Sequence, residues 1–370
     1  MDAATLAAAI LSNLDGAPPP DLKRVVPKRT TVLDHPVGLG MSAFRLGAKP
    51  TVDTTAPQLF CPDAIRDDPA LGAEVNDRLV DWAEQVGIYP GRLERLRACD
   101  FGRLIMLTHP ACADPDRLLA ATKCVVMEWA ADDYYVDEVD LGADPRVVGS
   151  RLANLHAVMD PAHLPSAGTP GLDRLAREEP IAAAFRSGMQ HLSRYASVTQ
   201  LARLRHQLGT LFVAWNQEAD WHANRRTPPV WEYLVQRYLN SYLPPMVLID
   251  VLAGYELPPN EFYDPHVRRA FSMAGLAGVL INDLYSGAAE SANDYNLPTV
   301  IVAERGCSRE EAIRQTVDIH NELMHTFVAE AAALSLVGSP TLRRFLADTW
   351  AWLGGSRKWH ATTLRYQGVS

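Results

Sequence analysis

The chain has 370 residues, 48% of them hydrophobic and 21% charged, and 35 basic against 44 acidic side chains give a formal net charge of −9. This composition is typical of a globular protein and excludes a mostly disordered chain. The acidic balance argues against a nucleic-acid backbone or an anionic membrane surface as the main partner. No apolar run approaches the roughly 18 residues of a membrane span.

The five cysteines are scattered, odd in number and without the spacing of a metal-binding pair, and no basic residue precedes the apolar N-terminal stretch. These features predict no disulfide framework, no structural zinc and no signal peptide. We therefore expect a cytoplasmic protein.

Residues 1–58 differ from the rest of the chain in being rich in proline, with a basic patch and a glycine-rich run. They predict a flexible leader with one short helix at 3–14. Over 59–370 apolar residues recur at helical spacing, and alternating β-branched runs are nearly absent. The recurrent blocks are 71–86, 115–138, 181–194, 198–222, 230–254, 264–290, 308–334 and 340–365. The sequence predicts one all-α domain, a single bundle of about ten helices.

Three aspartates, Asp132, Asp133 and Asp137, follow the apolar stretch 125–130 near the predicted end of a helix. Aspartate is a poor helix former, and acids oppose the helix dipole at a C-terminus. Clustered carboxylate oxygens suit Mg²⁺. The alternative is a solvated acidic helix end.

A second group of oxygen-bearing side chains starts where the apolar run 276–281 ends. Asn282, Ser286 and Glu290 are spaced four residues apart, which places them on one stripe of a helix. A plain polar face would explain this stripe alone. Two such clusters on separate apolar helices predict a magnesium site more strongly than either one.

Two further segments offer cations for a phosphate. Arg237 lies in an apolar predicted helix, and the basic run 356–366 ends in Arg365 and Tyr366. A snorkelling arginine and a free basic tail are the alternatives. Together, however, the oxygen clusters and these cations are the groups that ionisation of an allylic diphosphate requires. Metal ions and arginine donors stabilise the diphosphate leaving group.

These motifs resemble the set found in bacterial class I terpene cyclases: the Asp132 to Asp137 segment, the Asn282–Ser286–Glu290 stripe, Arg237 placed 45 residues before Asn282, and Arg365-Tyr366. The stretches 82–90, 294–300 and 350–355 are similar to those of members that act on a C-methylated C11 diphosphate. The similarity runs from about 58 to 366 and implies the α-helical isoprenoid-synthase bundle.

The resemblance also implies roles for individual residues. Asp132, Asn282, Ser286 and Glu290 would bind three Mg²⁺ ions; Arg237 would sense the diphosphate with Asn240 and Ser241 as companions; Arg365 and Tyr366 would close over the diphosphate; Trp129 and Trp359 would line the hydrocarbon cavity. Indole faces stabilise carbocations by cation–π attraction, although both tryptophans are also ordinary core residues. Ala289 departs from the family, where many members carry lysine.

The implied reaction is ionisation of 2-methylgeranyl diphosphate and its cyclisation to 2-methylisoborneol, with release of diphosphate. A related cyclase that uses geranyl or farnesyl diphosphate, or that deprotonates to an alkene such as 2-methylenebornane, is the alternative. From a different class, a non-catalytic helical interaction protein would fit Ala289 and the leader. The resemblance further implies a homodimer and loading into a protein shell through residues 1–58.

Overall fold

The computed structural model of the protein describes residues 58–160, 162–286 and 295–363. All but the last residue of the predicted leader therefore lies outside the described residues. The same holds for Ala289 and for three predicted site residues, Glu290, Arg365 and Tyr366.

The described residues form sixteen α-helices and no strand, which confirms the all-α prediction. The helices are α1 (Pro69–Val86), α2 (Leu93–Cys99), α3 (Phe101–Thr108), α4 (Pro115–Asp132), α5 (Val148–Met159), α6 (Thr169–Glu178), α7 (Pro180–Leu192), α8 (Val198–Asn224), α9 (Val230–Leu239), α10 (Leu243–Met246), α11 (Ile249–Leu252), α12 (Pro259–Phe262), α13 (Pro265–Ser286), α14 (Leu297–Arg305), α15 (Arg309–Val337) and α16 (Pro340–Thr362). A π-helical turn (Asp133–Asp137) and a 3-10 turn (Val139–Leu141) follow α4. Among these described helices, none combines the length and the apolar character that crossing a membrane demands.

Local sequence signals set where the long helices begin. The Asp114 side chain accepts hydrogen bonds from the backbone N–H groups of Asp116 and Arg117, and Pro115 starts α4. At α8, Ser197 and Gln200 form a reciprocal capping box. These caps satisfy backbone donors that the first helical turn leaves without partners.

The prediction of one helix over 230–254 is wrong, because the chain breaks after Leu239. Asn240 leaves the helical conformation with φ −91° and ψ 64°, and only the two four-residue helices α10 and α11 follow. Pro244 and Pro245 contribute to the break, since proline has no N–H to donate and clashes with the preceding turn. As a result, Arg237 lies in the last turn of α9.

Helix α3 packs against its neighbours at backbone distance. A Cβ atom built on Gly355 of α16 would lie 2.3 Å from the carbonyl oxygen of Leu107 in α3. On the other side, a Cβ on Gly102 of α3 would lie 2.4 Å from the carbonyl oxygen of Gly72 in α1. Such distances leave no room for a side chain at these two positions. Glycine therefore allows the backbones of α1, α3 and α16 to come into contact.

Candidate active site

One cavity brings together the described residues that the sequence predicted for the metal and diphosphate sites. It lies where the C-terminal ends of α4, α9 and α13 meet. Oxygen-bearing side chains in its lining are Asp132, Asp133, Asp137, Asn282 and Ser286; Arg237, Asn240 and Ser241 lie beside them; the aromatic lining consists of Trp129, Trp215, Tyr242 and Trp352. The two oxygen clusters, distant in sequence, therefore share one site.

The first oxygen cluster ends α4 in a π-helical turn. The predicted continuous helix to residue 138 is wrong, because the Glu138 N–H donates to the Asp133 carbonyl at 2.9 Å, a bond across five residues. The hydroxyl of Tyr89 donates to Asp133 Oδ2 at 2.6 Å and fixes this buried carboxylate. Turns of this type occur frequently at functional sites.

The second oxygen cluster lies in the last turn of α13. Asn282 and Ser286 are one turn apart, and both line the cavity. Asn282 Oδ1 accepts a hydrogen bond from Arg237 Nη2 at 2.9 Å. This bond connects the predicted metal stripe directly to the predicted diphosphate sensor.

Arg237 is held by a buried ion pair with Asp283. Its Nε and Nη2 donate to Asp283 Oδ1 at 2.9 and 2.7 Å, and only 1% of each side chain is exposed. The other carboxylate oxygen accepts from the Tyr233 hydroxyl at 2.8 Å and the Leu297 N–H at 3.1 Å. Burial alone would lower the pKa of Arg237, but the Asp283 charge keeps that pKa above its usual range. The snorkelling alternative is therefore wrong.

Asp283 and Glu218 of α8 also belong to this site, although the sequence motifs predicted no role for them. Glu218 Oε2 accepts a hydrogen bond from Gln236 Nε2 at 2.9 Å. One ligand atom from each of Asp137, Glu218 and His222 lies within 4.8 Å of the others. Burial raises the pKa of Glu218 against the opposing charge of Arg237. The available signal was a pair of acids, Glu218 and Asp220, between Trp215 and Trp221 in α8.

The structure places the two predicted tryptophans differently. Trp129 lines the cavity, but the lining does not include Trp359, which is fully buried and packs behind Trp129 with ring centroids 5.7 Å apart. The Trp359 indole N–H donates to the carbonyl oxygens of Cys99 and Asp100 at 3.1 and 3.0 Å. The structure therefore places Trp359 in support of the α2–α3 junction rather than on the cavity wall.

This position gives Trp359→Phe a specific expected result. Phenylalanine keeps an aromatic ring against Trp129 but removes the indole donor. The Cys99 carbonyl then keeps only the Thr363 hydroxyl and the Asp100 carbonyl only the Leu104 N–H, so the free energy of unfolding should fall by about 0.5–1.5 kcal/mol. The distribution of products should stay nearly unchanged. Urea unfolding and gas chromatography measure the two effects, and a changed product with unchanged stability would contradict this assignment.

Comparison with known proteins gives the family. Residues 123–326 match the family model for "Terpene synthase family 2, C-terminal metal binding". The chain belongs to the terpene synthase family. It is a class I terpene synthase, a lyase with the all-α fold of that class.

Several relatives of this terpene synthase are 2-methylisoborneol synthases. The one from Streptomyces griseus is 35% identical over 350 residues, which cover 90% of this chain and 80% of the relative. The one from Saccharopolyspora erythraea is 35% identical over 328 residues, 86% of this chain and 92% of the relative. A crystal structure of 2-methylisoborneol synthase from Streptomyces coelicolor A3(2), in complex with Mg²⁺ and 2-fluoroneryl diphosphate, superposes with a TM-score of 0.78 at 32% identity. It covers 84% of this chain and 97% of that chain.

Proposed function

We propose that this terpene synthase is a magnesium-dependent cyclase that ionises 2-methylgeranyl diphosphate, cyclises the cation to 2-methylisoborneol and releases diphosphate. The observation that carries the proposal is the shared cavity, in which oxygen clusters and Arg237 lie beside an aromatic wall. The substrate assignment is supported by relatives named 2-methylisoborneol synthase, at 33–35% identity over 86–94% of the chain.

The donor set fits magnesium. The described candidates in the acidic turn and on α13 supply carboxylate, amide and hydroxyl oxygens, which Mg²⁺ prefers over nitrogen and sulfur ligands. We assign these residues, together with Glu290 outside the described part of the chain, as ligands of three Mg²⁺ ions: Asp132, Asp133, Asp137, Asn282, Ser286 and Glu290. Bound there, Mg²⁺ neutralises the charge that develops on the departing diphosphate.

Arg237 would orient the diphosphate with its planar guanidinium. Asp283 and Asn282 fix its Nε and Nη2 edge, and Nη1 donates to the Asn240 carbonyl at 3.3 Å. These contacts use four of the five guanidinium N–H donors, so the remaining Nη1 hydrogen would donate to the diphosphate from a fixed orientation, with little entropy lost on binding. Asn240 and Ser241 lie beside Arg237 in the cavity lining and would act as its companions in sensing the diphosphate. Arg365 and Tyr366 keep their predicted role of closing over the diphosphate.

The apolar part of the cavity would shape the hydrocarbon. Trp129 and the two further tryptophans of the lining, Trp215 and Trp352, offer π faces along the wall. Such faces attract a developing carbocation within about 6 Å. The same surfaces exclude bulk water, which protects the cation from premature quenching.

A panel of diphosphates tests the proposal. With Mg²⁺ present, we expect diphosphate release from 2-methylgeranyl diphosphate and a C11 alcohol by gas chromatography. One methyl group discriminates by about 10- to 200-fold, so geranyl diphosphate should still be turned over with a lower kcat/KM. Absence of diphosphate release from every substrate would overturn the proposed reaction.

Farnesyl diphosphate is the substrate of the second candidate function. The (+)-T-muurolol synthase of Streptomyces clavuligerus, named as cyclising (2E,6E)-farnesyl diphosphate, is 30% identical over 84% of this chain. A clear preference for farnesyl diphosphate in competition would overturn the methylated C11 assignment and leave the metal-site assignment intact.

Arg237→Lys tests the diphosphate sensor. Lysine keeps the charge but cannot donate in parallel to Asp283 and Asn282, so kcat/KM should fall by about 10- to 100-fold. Arg314→Lys is the matched control, because Arg314 is half-exposed and pairs only with Glu310 and Glu311 of its own helix in the described structure. Equal kcat/KM values for the two variants would contradict the sensor role.

The homodimer and the loading of a protein shell through residues 1–58 remain predictions. Size-exclusion chromatography with light scattering measures the first. Co-purification of a shell protein with the full chain, but not with a chain lacking residues 1–58, measures the second.

A further inference from the structure

Glu128 is a buried carboxyl group in the wall of the same cavity. It lies one turn before Asp132 on α4, and only 5% of the residue is exposed. Four residues correspond to about 6 Å along a helix axis. Because α4 ends at the metal site, Glu128 lies deeper in the cavity, at the level where the hydrocarbon would bind.

One oxygen of the Glu128 carboxyl group lacks the partner that a buried polar atom normally has. In the described part of the chain, Oε1 has no hydrogen-bond partner. Burial raises the pKa of Glu128 well above its usual range, and no cation opposes the shift. Buried polar atoms in proteins are nearly always hydrogen-bonded, so this group is suited to bind a molecule that enters the cavity.

The chemistry of the surrounding wall fits a single water molecule. The indole N–H groups of Trp215 and Trp352 are also buried and without a partner among the described residues, and both residues line the cavity. A protonated carboxyl offers one donor and one acceptor, and the indoles add donors. Across the whole cavity, the space open to the centre of a water molecule is about 70 Å³. About 10–15 Å³ is enough for one water, which needs two to four polar partners.

We propose that Glu128 positions the water that quenches the last carbocation, and that it thereby selects an alcohol over an alkene. This inference rests on the proposed function. The lone pair of the water oxygen forms the new C–O bond, and the protonated alcohol gives its extra proton to the diphosphate released on ionisation. Without the positioned water, the cation loses a proton from a neighbouring carbon to the same diphosphate and gives the alkene.

Two substitutions at Glu128 separate this role from a structural one. Glu128→Met keeps the length of the side chain and removes both oxygens, whereas Glu128→Gln keeps a carbonyl acceptor and an N–H donor. The full chain is incubated with Mg²⁺ and 2-methylgeranyl diphosphate in ¹⁸O-labelled water. Diphosphate release, the alcohol-to-alkene ratio and the ¹⁸O content of the alcohol are then measured.

For Glu128→Met we expect the alcohol-to-alkene ratio to fall about tenfold, with diphosphate release within about threefold of the unmodified chain. Glu128→Gln should keep the ratio within about twofold. Thr122→Val is the matched control, a buried polar-to-apolar change on the same helix outside the cavity lining, where the hydroxyl donates to the Leu118 carbonyl at 2.8 Å. It should leave the ratio unchanged.

An unchanged ratio in Glu128→Met would overturn the inference, as would an unmodified chain that releases diphosphate but forms only alkene. An unmodified chain that releases no diphosphate would overturn the proposed function itself. Circular dichroism checks that Glu128→Met folds. If it does not, a crystal structure of the unmodified chain decides: an ordered water within hydrogen-bond distance of the Glu128 carboxyl supports the inference, and its absence overturns it.

Discussion

Asp283→Ala is expected to lower the free energy of unfolding by about 3–5 kcal/mol, because it leaves the Arg237 charge buried without its counterion. The Tyr233 hydroxyl and the Leu297 N–H would lose their shared acceptor at the same time. Urea unfolding followed by circular dichroism measures the change. Turnover should also be lost, since Arg237 would no longer be held in one orientation.

The control for this prediction is Asp144→Ala, which removes an ion pair at the surface. Asp144 bonds to Arg146, whose side chain is 84% exposed, so the cost should stay within about 1 kcal/mol. The double variant Arg237→Met/Asp283→Leu removes both charges and should recover much of the stability but none of the activity. An Asp283→Ala variant as stable as the unmodified chain would contradict the buried pair.

Asp132→Ala and Asn282→Ala are each expected to reduce diphosphate release by at least about 100-fold. Each removes a proposed metal ligand at the end of a helix. Asn282→Ala also removes an acceptor of Arg237 Nη2, so Asp132→Ala tests the metal site without changing a contact of Arg237. Activity is measured at limiting and saturating Mg²⁺, and circular dichroism reports the helical content. Saturating Mg²⁺ should restore part of the lost rate.

Asp140→Ala is the control for these two variants. Asp140 is an exposed acid in the 3-10 turn after the acidic cluster, and it does not line the cavity. Its rate should stay within about twofold of the unmodified chain, because exposed acids at a distance are screened by solvent. If either ligand variant released diphosphate at the rate of the unmodified chain at limiting Mg²⁺, the metal-site assignment would be wrong.

The parts of the site that the sequence predicted are those with a local chemical signal. Asp132 and Asn282 stood out because hard oxygens end otherwise apolar helices, and the structure brings both to one cavity. Trp129 followed from Asp132, since a separation of three residues keeps both on one helix face. Each of these inferences needed only the geometry of a single helix.

The missed or misplaced residues depend on contacts between helices. Trp359 bonds to the carbonyls at the α2–α3 junction, and no spacing within α16 reveals that partner. Asp283 could be recognised as the counterion of Arg237 only after α9 and α13 had been placed side by side. The break at Asn240 did have a signal in Pro244 and Pro245, but the apolar periodicity on both sides concealed it.

The backbone contact between α3 and α16 has a consequence for how cavities of this kind diversify. Leu104 and Ile105 of α3 and Trp352 and Ser356 of α16 line the cavity, while Gly355 sets how closely the two helices approach. A single methyl group at position 355 would force them apart. The width of the cavity therefore depends partly on Gly355, a residue outside its lining. The volume of the cavity can change in evolution while every lining side chain is retained.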